Sequence, residues 1–158
     1  MHRIYRRVRI DVRDRIPSDR KIRTVLTQWL THLGYKNAII EISLVSDPAI
    51  RRVNAEFRGK NKPTDVLSFP AQEFTRTRVP RLVSDWPQAG PLPLGDIMIS
   101  IPTARRQARE IGHSIQDEFY RLLSHGVLHL LGYDHERSRA EEKRMIARED
   151  ELTSFLWK

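Results

Sequence analysis

The stretch from Ser124 to Glu136, SHGVLHLLGYDHE, dictates a chain path more narrowly than any other part of the sequence. His125 and His129 stand one helical turn apart, so a helix puts both imidazoles on one face. His135 joins them only if that helix stops, because a straight continuation carries it several ångströms further along the axis. Gly132 lies between them, and glycine enters the left-handed conformation that ends helices at little cost. The stretch therefore predicts a helix, a reversal at Gly132 and a short return through Tyr133 and Asp134. Half of the six histidines in the 158-residue chain are gathered here.

Three neutral imidazoles on a tetrahedral divalent ion leave one position open for water, which is the catalytic rather than the structural zinc pattern. Such an ion lowers the pKa of its water from ~15.7 to roughly 7. One zinc ion is the expected cofactor, although imidazole also suits nickel, iron and copper. The chain has no cysteine, so disulfides and thiolate sites are excluded and a cytoplasmic location is expected. The remaining histidines read as ordinary: His2 at the terminus, His32 on the exposed side of a helix, His113 in a turn.

The spacing matches the metzincin metalloprotease pattern H-E-x-x-H-x-x-G-x-x-H at every position but one: the catalytic glutamate is replaced by Gly126. Glycine can neither take a proton from water nor give one to a leaving amine. A protease would need another acid, with Asp134 and Glu136 as the nearby candidates. The leaving oxygen of a phosphodiester can depart with electrostatic help, provided positive groups meet the developing charge. The formal net charge of +8 supplies them, with one cluster in residues 1–23 and another at Arg51, Arg52, Arg58, Lys60 and Lys62. That excess points to a polyanionic partner, nucleic acid before anionic lipid. Arg58, at the end of a short helix, is the first candidate for phosphate binding and catalysis; Lys60, then Lys62, are weaker.

The hydropathy pattern predicts one domain over residues 1–158, built as an α+β fold. Strands are expected near 4–13, at Ile40–Leu44, at Thr64–Pro70 and at Gly95–Ser100, giving a small mixed sheet of about four strands with helices packed on it. Helix starts are marked by Ser18, Ser46, Ser100, Ser114 and Ser138, the last two with an acid three residues on. The short helix after Ser46 carries Ile50, Val53, Asn54 and Phe57. Residues 71–93 have four prolines and no period, and read as a long loop. No apolar run is long enough to span a membrane, and the basic N-terminus lacks the apolar core of a signal peptide. Gly90–Asp96 has a glycine spacing faintly like a phosphate loop but leads into a strand, so it is rejected. Trp86 and Tyr133 are candidate stacking positions for RNA bases.

HGVLHLLGYDHE, with NAEFRGKNKPTDVLSFP and LGDIMIS, resembles the bacterial endoribonuclease YbeY, or rRNA maturation factor, family, and nearly the whole chain follows its element order. The resemblance implies a single-domain α+β fold and a zinc held by His125, His129 and His135. It implies an important arginine at Arg58, and a role in ribosomal RNA processing and ribosome quality control with rRNA, and ribosomal or ribosome-associated proteins, as partners. The Pro-rich stretch from Thr75 to Pro93 departs from the family pattern, as does Ser124. Two alternatives stand beside this expectation. One is a zinc metalloprotease with an unusual base; the other is a non-enzymatic ribosome-assembly factor whose zinc is closed by a fourth protein ligand.

Overall fold

A computed structural model describes residues 3–8, 15–35, 37–71 and 91–157, with the backbone alone at 3–8 and 157. The strands are β1 (Arg3–Val8), β2 (Ala38–Val45), β3 (Val66–Pro70) and β4 (Leu92–Ser100), and the sheet runs β1-β2-β4-β3. β1 and β4 both pair parallel to β2, while β3 pairs antiparallel to β4 and forms an edge. The α+β expectation holds, and the sheet is mixed. The helices are α1 (Asp19–His32), α2 (Asp47–Arg58), α3 (Ile101–Ile111), α4 (Ile115–Leu130) and α5 (Arg139–Ser154), followed by a 3₁₀ turn at Phe155–Trp157.

Each helix starts where a serine side chain accepts a bond from the backbone N–H three residues on. Ser18 receives Lys21, Ser46 receives Ala49, Ser100 receives Thr103, Ser114 receives Asp117 and Ser138 receives Glu141. At Ser114 the capping box is complete, with the Asp117 carboxylate accepting the Ser114 N–H in return. Asp47, in the first turn of α2, ties two helix starts together. Its Oδ1 accepts the Ser100 and Thr103 hydroxyls, each at 2.6 Å, and its Oδ2 meets Arg106 at 2.9 Å. Those bonds and the Arg106 charge outweigh the opposing effect of burial and hold the Asp47 carboxyl below its ordinary pKa.

The core forms where the periodicities predict it. β2 alternates buried and half-buried residues, α1 buries Ile22, Val25, Leu26, Trp29 and Leu30, and the buried residues of both belong to one apolar cluster. The Trp29 indole N–H donates to the Leu152 carbonyl at 2.8 Å, which fastens α1 to the end of α5. α4 is the central helix. It buries Phe119, Tyr120, Leu122, Leu123, Val127, Leu128 and Leu130, and packs against α3, α5, β3 and β4. A helix apolar over most of its girth must be covered on several sides, and this one is.

Two strand starts need correction. β4 begins at Leu92 rather than Gly95, because Gly95 marks a bulge and not a strand start. The pairing of β2 shifts between Ile39 and Ile40, which meet Pro93 and Gly95, and Gly95 has φ +133°. β3 begins at Val66 rather than Thr64. On α2, Ile50 and Asn54 are the buried residues, while Phe57 is 64% exposed. The outer part of the expected first strand, residues 9–13, lies outside the described residues, as do Trp86 and residues 72–90 of the long loop. No helix among the described residues is long and apolar enough to cross a membrane.

A Cβ at position 95 would collide with the Phe69 carbonyl oxygen and press within 3.0 Å of the Ala71 nitrogen and a Leu130 methyl. Gly95→Ala is therefore expected to lower stability by at least about 2 kcal/mol, from backbone strain and overlap together. Urea unfolding at unchanged m value measures it, and a change within about 0.5 kcal/mol would contradict the bulge argument.

Candidate metal centre

The last turns of α4 carry His125 and His129. The helix then ends as the sequence demands. Gly132 has φ +90°, the Gly132 N–H reaches the His129 carbonyl at 3.1 Å, and the Tyr133 N–H reaches the Leu128 carbonyl at 3.0 Å. These two bonds are a Schellman termination, and they turn the chain back on itself. The return places the His135 ring centroid 5.2 Å from those of His125 and of His129, which are 4.6 Å from each other. Each ring offers a nitrogen within 4.8 Å of the others, and among the described residues this is the one such group of three or more His, Cys, Asp or Glu side chains.

The donor set fits a divalent ion. His125 Nδ1 lies 2.6 Å from Glu149 Oε1, so the carboxylate fixes the tautomer and leaves Nε2 free as a ligand. That Nε2 stands 3.0 Å from His129 Nε2. Two nitrogens bound tetrahedrally at zinc distances stand roughly 3.3 Å apart, so only a slight opening is needed. The buried Nδ1 of His135 has no hydrogen-bond partner in the protein among the described residues. The cluster also sits at the C-terminal end of α4, where the negative end of the helix dipole favours a cation. No carboxylate joins the three rings, so among the described residues the protein leaves the set open.

Burial, and then the charges of His125 and His135, push the His129 pKa down from 6.5 to about 4, against the opposing pull of Asp134 and a hydrogen bond to the Tyr133 backbone. The ring is thus neutral, as a ligand must be, over the whole physiological range.

The rings open into a cleft of about 530 Å³. Its walls are the edge strand β3 from Val66 to Phe69, the end of α2 with Phe57 and Arg58, and the turn residues Asp134 and Glu136. The structure thus brings Arg58 together with the triad. Lys60, two residues on, is exposed and does not line the cleft, and neither does Lys62. Arg58 precedes a loop that is pinned from below. The buried Asn54 amide donates to the Lys62 carbonyl at 2.8 Å, and Arg51 Nε donates to Asn61 at 2.9 Å.

The two acids near the rings are differently placed. Asp134 accepts the Glu136 N–H on Oδ1 and Arg137 Nε on Oδ2, while Glu136 is exposed. Gly126, which stands where metzincins have their base, faces Ile97 of β4; a Cβ there would lie 3.0 Å from an Ile97 methyl. A glutamate would have to enter the packed helix–sheet interface.

The other two histidines among the described residues occupy ion pairs. His32 meets Glu151 at 2.6 Å, and His113 meets the fully buried Glu118 at 2.6 Å, with Arg121 on both oxygens of that carboxylate. The Tyr133 hydroxyl accepts from Arg148 Nε at 3.2 Å. Sequence reasoning missed Glu149, which sits in a helix crowded with acids. The available signal was its register: it lies four residues after Met145 and three before Leu152, both buried, and so on the inward stripe of α5.

Residues 9–156 match the family described as Endoribonuclease YbeY. An Endoribonuclease YbeY of Persephonella marina is 42% identical over 139 residues, covering 88% of this chain and 84% of that protein. Another from Leptospira interrogans is 49% identical over 122 residues, covering 74% of this chain and 86% of that one. The solution structure of TM1509 from Thermotoga maritima matches with a TM-score of 0.63 over 99% of this chain and 89% of that one, at 24% identity, a likeness of fold alone.

The lowered pKa of His129 makes a prediction for metal-free protein. Between pH 6.5 and about 4 the unfolded chain binds a proton that the folded chain refuses, so stability falls as the pH drops through that window. His129→Ala should flatten that part of the profile in urea unfolding measured across pH. An identical slope in the variant would contradict the assignment.

Proposed function

Since the chain belongs to the YbeY endoribonuclease family, we propose that it is a zinc-dependent endoribonuclease acting on single-stranded regions of ribosomal RNA precursors. Its role on this reading is small-subunit rRNA 3′-end maturation and ribosome quality control in the cytoplasm, alongside ribosomal or ribosome-associated proteins. Residues 1–158 act as one hydrolase domain around a metzincin-like zinc helix. The observation that carries the reading is the shared cleft, in which three convergent imidazoles face an arginine across about 530 Å³.

His125, His129 and His135 would hold one zinc ion. When bound, such an ion acts as a Lewis acid and makes hydroxide available at neutral pH. The chain's own residues do the rest. Glu149 keeps His125 in the tautomer that presents Nε2 inward. Arg58 meets the phosphate with a planar fork that binds two oxygens at once and stays charged at every relevant pH. The charge developing on the phosphoryl oxygens is then met by a fixed cation rather than by reorganising water. The pinned loop behind Arg58 holds the end of α2 in place, so that less freedom is lost when substrate binds. The protease alternative lacks the metzincin base at position 126, which is turned into the sheet, and is left with Asp134 and Glu136 in the cleft wall.

Incubating metal-loaded protein with single-stranded RNA tests the proposal. Wild type should cleave, and His129→Ala should not exceed background. Arg58→Ala should bind the ion normally yet lose on the order of 100-fold in kcat/KM. Equal cleavage by wild type and His129→Ala, prepared identically, would reveal a contaminating nuclease and end the proposal.

A further inference from the structure

Phe57 is 64% exposed, the largest exposure among the large apolar side chains of the described residues. It stands in the cleft wall directly before Arg58, and its ring packs against that of Phe69 on β3, with centroids 5.2 Å apart and planes at 64°. An exposed phenylalanine on a helix end gains little for the fold. A phenyl ring braced on one side by a second aromatic ring, and open to a cleft on the other, is a surface prepared for another flat ring.

We infer that Phe57 is the stacking platform for one unpaired nucleobase of the RNA strand in the cleft, with Phe69 holding its ring in place. This rests on RNA as the substrate. Three features favour a base over another flat partner. The platform adjoins Arg58 in the chain, so a base on Phe57 leaves its sugar–phosphate within reach of the guanidinium and the triad. The chain's positive balance of +8 suits a strand of phosphates. A phenyl face has no donors or acceptors, so it accepts any base without reading its edge. The platform would also account for a preference for single strands, because bases in a duplex already spend both faces on their neighbours. Phe69 fixes the ring orientation beforehand, which reduces the freedom lost on binding.

The test uses the full-length, zinc-loaded protein and a short fluorescent RNA made cleavage-resistant by 2′-O-methyl and phosphorothioate groups, with affinity read by anisotropy. Phe57→Ala should weaken binding by roughly 5- to 150-fold, the loss of one base stack, with metal content and unfolding midpoint unchanged. Phe57→Trp and Phe57→Tyr should retain affinity, while Phe57→Leu, apolar but without a ring, should not. An abasic site walked along the RNA should cost wild type a similar factor at one position, and cost Phe57→Ala nothing further there. Wild-type affinity in Phe57→Leu, or an undiminished abasic penalty in Phe57→Ala, would overturn the inference. Phe57-dependent binding without cleavage of ordinary RNA would instead sink the nuclease reading and leave this one standing.

Discussion

The carbonyls of Leu128 and His129 accept the Tyr133 and Gly132 N–H groups, and these two bonds decide whether the chain has a site at all. Without them α4 would run on and carry His135 away from the other two rings. With them the last turn of the helix closes against itself, its orphan acceptors are satisfied, and the following residues double back. Gly132 at φ +90° is what makes this inexpensive, since a side chain there would bring strain. Arg148 holds Tyr133 from α5, and Glu151 and His32 extend that network to α1, so the turn is braced from outside as well.

A turn alone would place the rings but not orient them. Orientation comes from the packing of α4 against its neighbours. Gly126 lets the helix approach Ile97 closely on the sheet side, and Glu149 reaches in from α5 on the other. At the start of the same helix, the fully buried Glu118 is satisfied by His113 and both donors of Arg121. A buried carboxylate tolerates so little solvent only when its lone pairs are filled in this way. The site is thus assembled on regular elements and, among the described residues, opens toward β3 and the end of α2. At position 126 the space a larger side chain would need is taken by Ile97 of the core.

What could be read in the sequence was whatever is local. Helix caps at five serines, the strand alternation in β2 and the histidine spacing are all settled within a few residues, and the structure follows them. The contribution of Arg58 was legible as a charge after a helix but not as a wall of the cleft, because β3 and α4 bring that wall together from distant parts of the chain. Lys60, the weaker candidate in sequence, stands outside the cleft, since Gly59 turns the chain at φ +66° between it and Arg58. Gly95 looked like a strand start because glycine commonly punctuates strands; only the partner strand reveals a bulge. Glu149 was hidden by composition, one acid among many in α5, and the exposure of Phe57 depends on β3, which packs beside it from a later part of the chain.

The claim at the centre is that three imidazoles, and no other protein group, hold one divalent ion. X-ray absorption at the zinc edge of the loaded protein counts them, because imidazole rings give a distinctive scattering pattern. The predicted result is three imidazole nitrogens among four ligands at about 2.0–2.1 Å, falling to two in His135→Ala. A fourth imidazole, fewer than three in the wild type, or a spectrum indifferent to His135→Ala would contradict the account.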